Sequence, residues 1–533
     1  MELVDVSDPG KPRHLSTVRT GEAQSCVVRD CILYVGVWFT SELVICDVSN
    51  PRRPVIISKM PLDGFGDGVF VQGKYCFAAT GSHSRKMKER NERDPEYGGG
   101  HGLEIFDISN PKKPKFAARI KMPRLYRRQS DFWNVIVSGD YAFVADTYNG
   151  VFVVDISDIN KPCFAGHQQL PWVESEKVPD SVSGIALGKG VIYTSGRWTD
   201  LHVINAPMAR PVTPEPDKPP VIPPEQTVLN EKFNIYKPDG QVWAAAFIGD
   251  IALAACGSAG LHAVQLLPEI KKLAEYKTES FAVDVKVNKN LVYVAESEGG
   301  LSIWKVAANA TLEPVGRFRV PGQSVKQVVV PKNGKYALLD VGRRSFIIID
   351  ITDPYQPRKV FEANGRGLLY GYQITDGLFE NRYACCLWHG DGYFWYDLAG
   401  SEPVFSGDHY QWAYLAWNGL AVLPNGADGI LTEPDGKYII INRQERRPLD
   451  EIKQYGIHGH NLSGKPSVYG NRLYTANRFW GRVNFVDISN IEKPKLIDTF
   501  TLDGNPNLVV EHSGYPVIPA GYQGLLVYKE KLG

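Results

Sequence analysis

Two histidines, His83 and His101, bracket a long charged insertion at 84–97, and short polar and aromatic clusters recur further along the chain. The clusters are Asp146-Thr147-Tyr148, Arg197-Trp198, Trp388-His389, His409 to Trp412, His458-Gly459-His460 and Arg478-Phe479-Trp480. Imidazole titrates near neutral pH and serves as general acid or base. Arginine anchors carboxylates and phosphates, and exposed rings form platforms for sugars and other flat ligands. His458 and His460 have the spacing of a metal-binding pair, but no third ligand lies nearby, so a structural or substrate contact is favoured over zinc. A single loop histidine is more often solvated or bonded to its own turn than catalytic. His83 and His101 stand out because they flank a long loop, and long loops in compact domains are commonly functional. No G-x-S-x-G, HExxH or P-loop pattern is present, which removes the common hydrolase, metalloprotease and nucleotide-binding readings.

The elements that must position these residues are repeats. An apolar strand ending in Asp-Ile/Val-Ser recurs as 43–51, 103–111, 151–158, 346–354 and 483–490. The apolar run reads as a strand buried on both sides, and the Asp/Asn-Pro step as a turn. Strand pairs joined by tight Gly turns, as in 68–80 and 134–145, complete a four-stranded unit. Such a unit cannot cover its own faces, so stacking around an axis is expected: an all-β fold, a single β-propeller over residues 1–533 with a Pro-rich excursion at 207–224. The repeat rule counts ten or eleven units, with degenerate ones around 393–443. The rival organisation is two propellers split at the Pro-rich stretch, and similar motifs on both sides favour one ring. Strand direction places the second-to-third and fourth-to-first loops on one face, which gathers the histidines, arginines and rings listed above on one rim, as a ligand pocket requires.

Lysine plus arginine and aspartate plus glutamate number 59 each, which argues against nucleic acid or an anionic membrane as main partner. No apolar run is long enough to span a membrane. With the repeat beginning at Leu3 no signal peptide is expected after Met1, so the expectation is either a cytoplasmic protein or one whose leader has been removed. The eight cysteines lack metal-ligand spacing, and Cys46, Cys76 and Cys256 fall within apolar strands, as buried thiols would.

The strand motif resembles the LVIVD repeat. Gly81-Ser82-His83, Gly99 to Leu103 and Asp146-Thr147-Tyr148 resemble the active-site layout of propeller polysaccharide lyases, the rhamnose-α-1,4-glucuronate lyases acting on arabinogalactan (gum arabic) side chains and the propeller ulvan lyases. That resemblance implies β-elimination at a rhamnosyl bond to carbon 4 of glucuronate. It casts His101 as first choice for the base and also as acid, and His83 as carboxylate neutraliser or second acid/base, with the two roles interchangeable. Tyr148 is then acid or orienter and Arg197 the carboxylate anchor. Trp198, Trp388 and Trp412 are sugar platforms, and His389, His458, His460 and Arg478 are further substrate contacts. It also implies seven blades, in conflict with the repeat count. A uronate-containing polysaccharide is the partner, no cofactor is required, a structural metal ion is allowed, and a secreted, periplasmic or cell-surface monomer is expected. Two alternatives stand beside it. One is a non-catalytic surface propeller that binds carbohydrate or protein. The other is a glycoside hydrolase releasing rhamnose, for which Asp391 and Glu296 are weak candidates for the carboxylate pair.

Overall fold

A computed structural model describes residues 1–9, 12–38, 40–81, 101–123, 134–212, 217, 220–222, 231–307, 311–331, 334–341, 345–364, 372–374, 382–387, 393–397, 404–408, 419–425, 428–433, 435–442 and 453–532. Contacts divide the chain into two compact units, Met1–Glu225 and Gln226–Gly533. The division falls just after the Pro-rich stretch at 207–224. Both units are built from antiparallel strands, and among the described residues no helix is long and apolar enough to cross a membrane.

In the first unit, three four-stranded meanders run through Ala23–Arg29 to Val55–Pro61, Gly66–Gln72 to Lys115–Lys121, and Asn134–Ser138 to Cys163–Gln168. A three-stranded sheet, Val182–Leu187, Val191–Gly196 and Leu201–Asn205, follows them. Glu2–Asp5 and Arg13–Thr17 make a separate pair. Neighbouring sheets interlock through their apolar faces. Phe77, Leu103 and Ile105 of one pack on Val135, Val144 and Phe152 of the next, and Phe143 and Val151 pack on Val182, Ile185 and Ile192.

The second unit holds seven four-stranded sheets among its described residues. Six are sequential meanders. The last takes its edge strand from the start of the unit: Phe233–Tyr236 pairs antiparallel with Leu525–Tyr528. Val517, Leu525 and Val527 of this sheet pack on Val242, Ala252 and Ala254 of the first. Joining the two chain ends of the unit in one sheet leaves no loose edge there, the usual device by which a propeller closes. The chain is therefore an all-β propeller protein, as its repeats imply.

The Asp-x-Ser step of each repeat has a specific task. The Asp47 carboxylate accepts the Ser49 backbone N–H at 2.9 Å and its hydroxyl at 2.6 Å. Asp107 with Ser109, Asp155 with Ser157, Asp350 with Thr352 and Asp487 with Ser489 repeat that arrangement. The side chain thus closes the turn after the third strand, which is why the pattern survives while the intervening residues vary. Cys46, Cys76 and Cys256 are buried free thiols, whereas Cys26 and Cys163 are exposed. Burial pushes Cys46 up to about 11.

Candidate functional site

The first unit carries the candidate site, and His101 is its central candidate. The residue lies just before strand Gly102–Asp107. Its carbonyl accepts the Met122 N–H at 3.0 Å, tying it to the neighbouring edge strand. Gly102 is required beside it, because a Cβ there would come within 2.7 Å of the Ile120 carbonyl oxygen. His101 is only 5% exposed, and its Nε2 lies 2.7 Å from Oδ2 of Asp146, which is fully buried. An ionised carboxylate can only accept, so Nε2 donates to Asp146, and Nδ1, also buried, is the ring's other polar atom. The pairing is charge-assisted and sits away from water, where such bonds are strong.

Asp146 ends strand Tyr141–Asp146, and a tight turn follows. Asn149 N–H bonds back to the Asp146 carbonyl at 2.8 Å. Thr147 is held at φ 34°, an unusual conformation for a β-branched residue. The neighbouring sheet fixes it there, since Val182 N–H donates to the Thr147 carbonyl at 3.0 Å. His167 Nε2 donates to the Asn149 carbonyl at 2.5 Å, and Gln169 Nε2 to that of Tyr148 at 2.9 Å. Strain held by so many surrounding contacts is a common property of functional turns.

Tyr148 projects from this turn to stack on Trp198, with centroids 5.8 Å apart and planes at 28°. The Arg197 guanidinium lies 4.9 Å from the Trp198 ring centroid. The Arg197-Trp198 turn is organised by Asp180, buried at the start of the sheet. Its carboxylate accepts the backbone N–H groups of Ser181, Arg197, Trp198 and Thr199 at 2.8, 2.9, 3.1 and 3.1 Å, and the Thr199 hydroxyl as well. Burial alone would raise the Asp180 carboxyl, but these donors outweigh it and hold the group below the usual carboxylate range. A buried imidazole paired with a carboxylate, a phenol, an indole face and a guanidinium are therefore carried by the second-to-third loops of three consecutive sheets.

Other candidates fall elsewhere. His83, Trp388, His389, Trp412 and Asp391 lie outside the described residues. His458, His460 and Arg478 belong to the second unit. Both histidines are exposed in a turn closed by the Ile457–His460 bridge. His460 lines a shallow cavity of about 280 Å³ with Asn461, Arg482 and Asn484. Among the described residues no group of three metal-ligating side chains occurs. Glu296 is engaged structurally: it accepts from Arg317 at 2.8 Å, from the Glu279 N–H at 3.0 Å and from the Ser302 hydroxyl. Sequence reasoning named the Asp146 segment but gave the carboxylate no role, and it missed Asp180. The signal for Asp180 was an aspartate at the head of a first strand, which recurs as Asp67 and Asp284.

The LVIVD repeat profile matches residues 20–60, 98–121 and 130–168, all in the first unit. A comparison with curated proteins gives no match. Among solved structures, selenomethionine-substituted virginiamycin B lyase from Staphylococcus aureus is similar at a TM-score of 0.44 and 11% identity, covering 56% of this chain and 98% of that one. The structure of U3-55K is similar at a TM-score of 0.44 and 10% identity, with the same coverage of 56% and 98%. Identities this low carry no chemistry from either protein. Repeats and sheet topology together define a propeller-type repeat protein.

Proposed function

We propose that this LVIVD-repeat propeller is a polysaccharide lyase that cleaves a rhamnosyl-α-1,4-glucuronate bond by β-elimination. The observation that carries the reading is the buried His101–Asp146 hydrogen bond of 2.7 Å, beside the Tyr148, Trp198 and Arg197 cluster. β-Elimination requires loss of the proton at carbon 5 of the uronate, which is weakly acidic until the adjacent carboxylate is neutralised. Arg197, exposed and held in place by the Asp180 turn, supplies that positive charge. His101 takes the proton at Nδ1, which is buried in the free protein and has to be uncovered as the substrate binds, and Asp146 stabilises the imidazolium that forms. The carbon–hydrogen electron pair becomes the carbon 4–carbon 5 double bond as the bond from carbon 4 to the rhamnosyl oxygen breaks. Tyr148, or the newly protonated His101, returns a proton to the departing oxygen. The Trp198 ring offers the sugar an apolar face. No redox or nucleotide cofactor enters, and the substrate implies a protein that acts outside the cytoplasm.

A glycoside hydrolase uses a facing carboxylate pair; of the two candidates, Glu296 is committed to Arg317, the Glu279 N–H and the Ser302 hydroxyl, and Asp391 lies outside the described residues. The test is incubation of the full chain with gum arabic and with ulvan, following the ultraviolet absorbance of unsaturated uronate. Wild type should generate it, and His101→Ala should lose roughly 100-fold or more of the rate, the range of general acid–base catalysis. Unimpaired turnover by the variant, or products without the double bond, would overturn the reading.

A further inference from the structure

The second unit gathers a different set of groups at one end of its sheets. Lys465 and Asp284 are the first residues of first strands, and Trp243 immediately precedes one. Asp340 ends a second strand, and Arg478 directly follows another. First strands begin where second strands end, so all five lie toward the same end of the unit. First strands also contact one another from sheet to sheet, which puts them on the inner side. The Lys465 ammonium feels the charges of Arg478, Asp284, Lys286 and Asp340, which belong to three separate sheets. A residue on one sheet that is coupled to charges on two others faces the space those sheets share.

Three consecutive sheets of the unit supply a connected crescent. Lys465 Nζ donates to Asn507 Oδ1 at 2.8 Å, and Asn507 Nδ2 donates to the Trp243 carbonyl at 3.0 Å. The Arg478 guanidinium lies 6.0 Å from the Trp243 ring centroid. Asp284, on a further sheet, accepts the Val285 and Val328 N–H groups at 2.9 and 3.0 Å and has Lys286 at 3.8 Å. Its charge is largely satisfied by those donors. The nearest hydrogen-bond partner of the Lys465 ammonium is a neutral amide.

We propose that this crescent is a binding site for a carboxylate carried on a small ring, a uronic acid being the simplest example: Lys465 and Arg478 hold the carboxylate, the half-buried Trp243 stacks on the ring, and Asn507 ties the lysine to the Trp243 backbone. An ammonium withdrawn from water whose hydrogen-bond partner is a neutral amide is costly when empty and is stabilised by an anion beside it. Burial, followed by the Arg478 charge, pushes Lys465 down to about 8, and burial also lowers Arg478. A tryptophan face beside the cations favours a ring-bearing carboxylate over a bare inorganic anion. The site is built from residues of the second unit alone, and its binding does not depend on the lyase chemistry.

The experiment reads Lys465 itself. The full chain is acetylated with a limiting amine reagent, and the labelling rate at Lys465 is followed by mass spectrometry, with glucuronate, glucose or inorganic phosphate present. Glucuronate at ten times its dissociation constant should slow labelling about tenfold by simple occupancy. Glucose and phosphate should protect little. Protection should fade as pH rises above about 8, where Lys465 loses the charge that holds the carboxylate. Arg478→Gln and Trp243→Ala should each lose protection, and Arg197→Gln, in the first unit, should retain it. Absent protection by glucuronate, equal protection by glucose or phosphate, or full protection in Arg478→Gln would each overturn the proposal. Loss of lyase activity in His101→Ala with Lys465 protection intact separates the two sites.

Discussion

Replacing Asp146 by asparagine tests the proposed catalytic pair at almost constant volume. The wild-type bond is 2.7 Å long, with His101 5% exposed and Asp146 fully buried. Hydrogen bonds to charged groups contribute roughly 1.5–3 kcal/mol. At about 1.36 kcal/mol per decade, losing that stabilisation as the imidazolium forms lowers kcat/KM roughly 10- to 150-fold. The amide adds a further handicap. If its NH2 turns toward Nε2, the imidazole proton moves to Nδ1 and blocks the basic position, which pushes the loss toward the upper figure. The assay is the initial rate of unsaturated uronate formation for wild type, Asp146→Asn, His101→Ala and the double variant, with circular dichroism and melting curves confirming that each folds. If Asp146 acts through His101, adding Asp146→Asn to His101→Ala has no further effect. A single variant within about twofold of wild type, or losses that multiply in the double variant, would refute the pairing as the catalytic device.

Three other expectations concern Asp180 and Glu296. Asp180→Ala removes the acceptor for the N–H groups of Arg197, Trp198 and Thr199, so KM should rise more than kcat falls, as steady-state kinetics would read. Because the folded Asp180 carboxyl lies below its unfolded value, its stabilisation is present above about pH 4 and disappears as pH falls through the folded value. The melting temperature of wild type should therefore drop more steeply on acidification than that of Asp180→Asn; parallel curves would contradict this. Glu296→Ala leaves Arg317 with Glu279 as its acidic partner beside the Gly299 carbonyl and should cost about 3 kcal/mol in urea unfolding. Lyase activity should be unchanged, and its loss would show that Glu296 does more than hold its sheet.

The repeats were legible because their cause is local. An apolar third strand followed by Asp-x-Ser encodes both a buried strand and the carboxylate that closes its turn, all within nine residues, and five copies obey it. The pairing of Phe233–Tyr236 with Leu525–Tyr528 was not legible. Four residues of mixed character acquire a strand partner nearly three hundred positions away, and no periodicity within either segment states that. The division after residue 225 is also a matter of which sheets contact which, and repeats on both sides of it look alike.

The site shows the same divide, and position within the repeat explains it. Asp47, Asp107 and Asp155 end third strands and bond the residue two places on. Asp146 and Asp340 end second strands, where no serine follows two places on. At that same position stand Thr80, Thr432 and Asn477, all nearly or fully buried. Burying a polar side chain there repeatedly is costly unless it has partners. Thr80 and Thr432 meet backbone carbonyls, and Asn477 meets Ser463 and the turn amides of 479 and 480. Asp146 meets His101 instead. Residue type alone treats all these aspartates as one class; strand position separates those that close turns from the one whose partner is a titratable ring 45 residues away. That distinction follows from the repeat register, which the sequence does contain, whereas the identity of the partner depends on the packing of one sheet against the next.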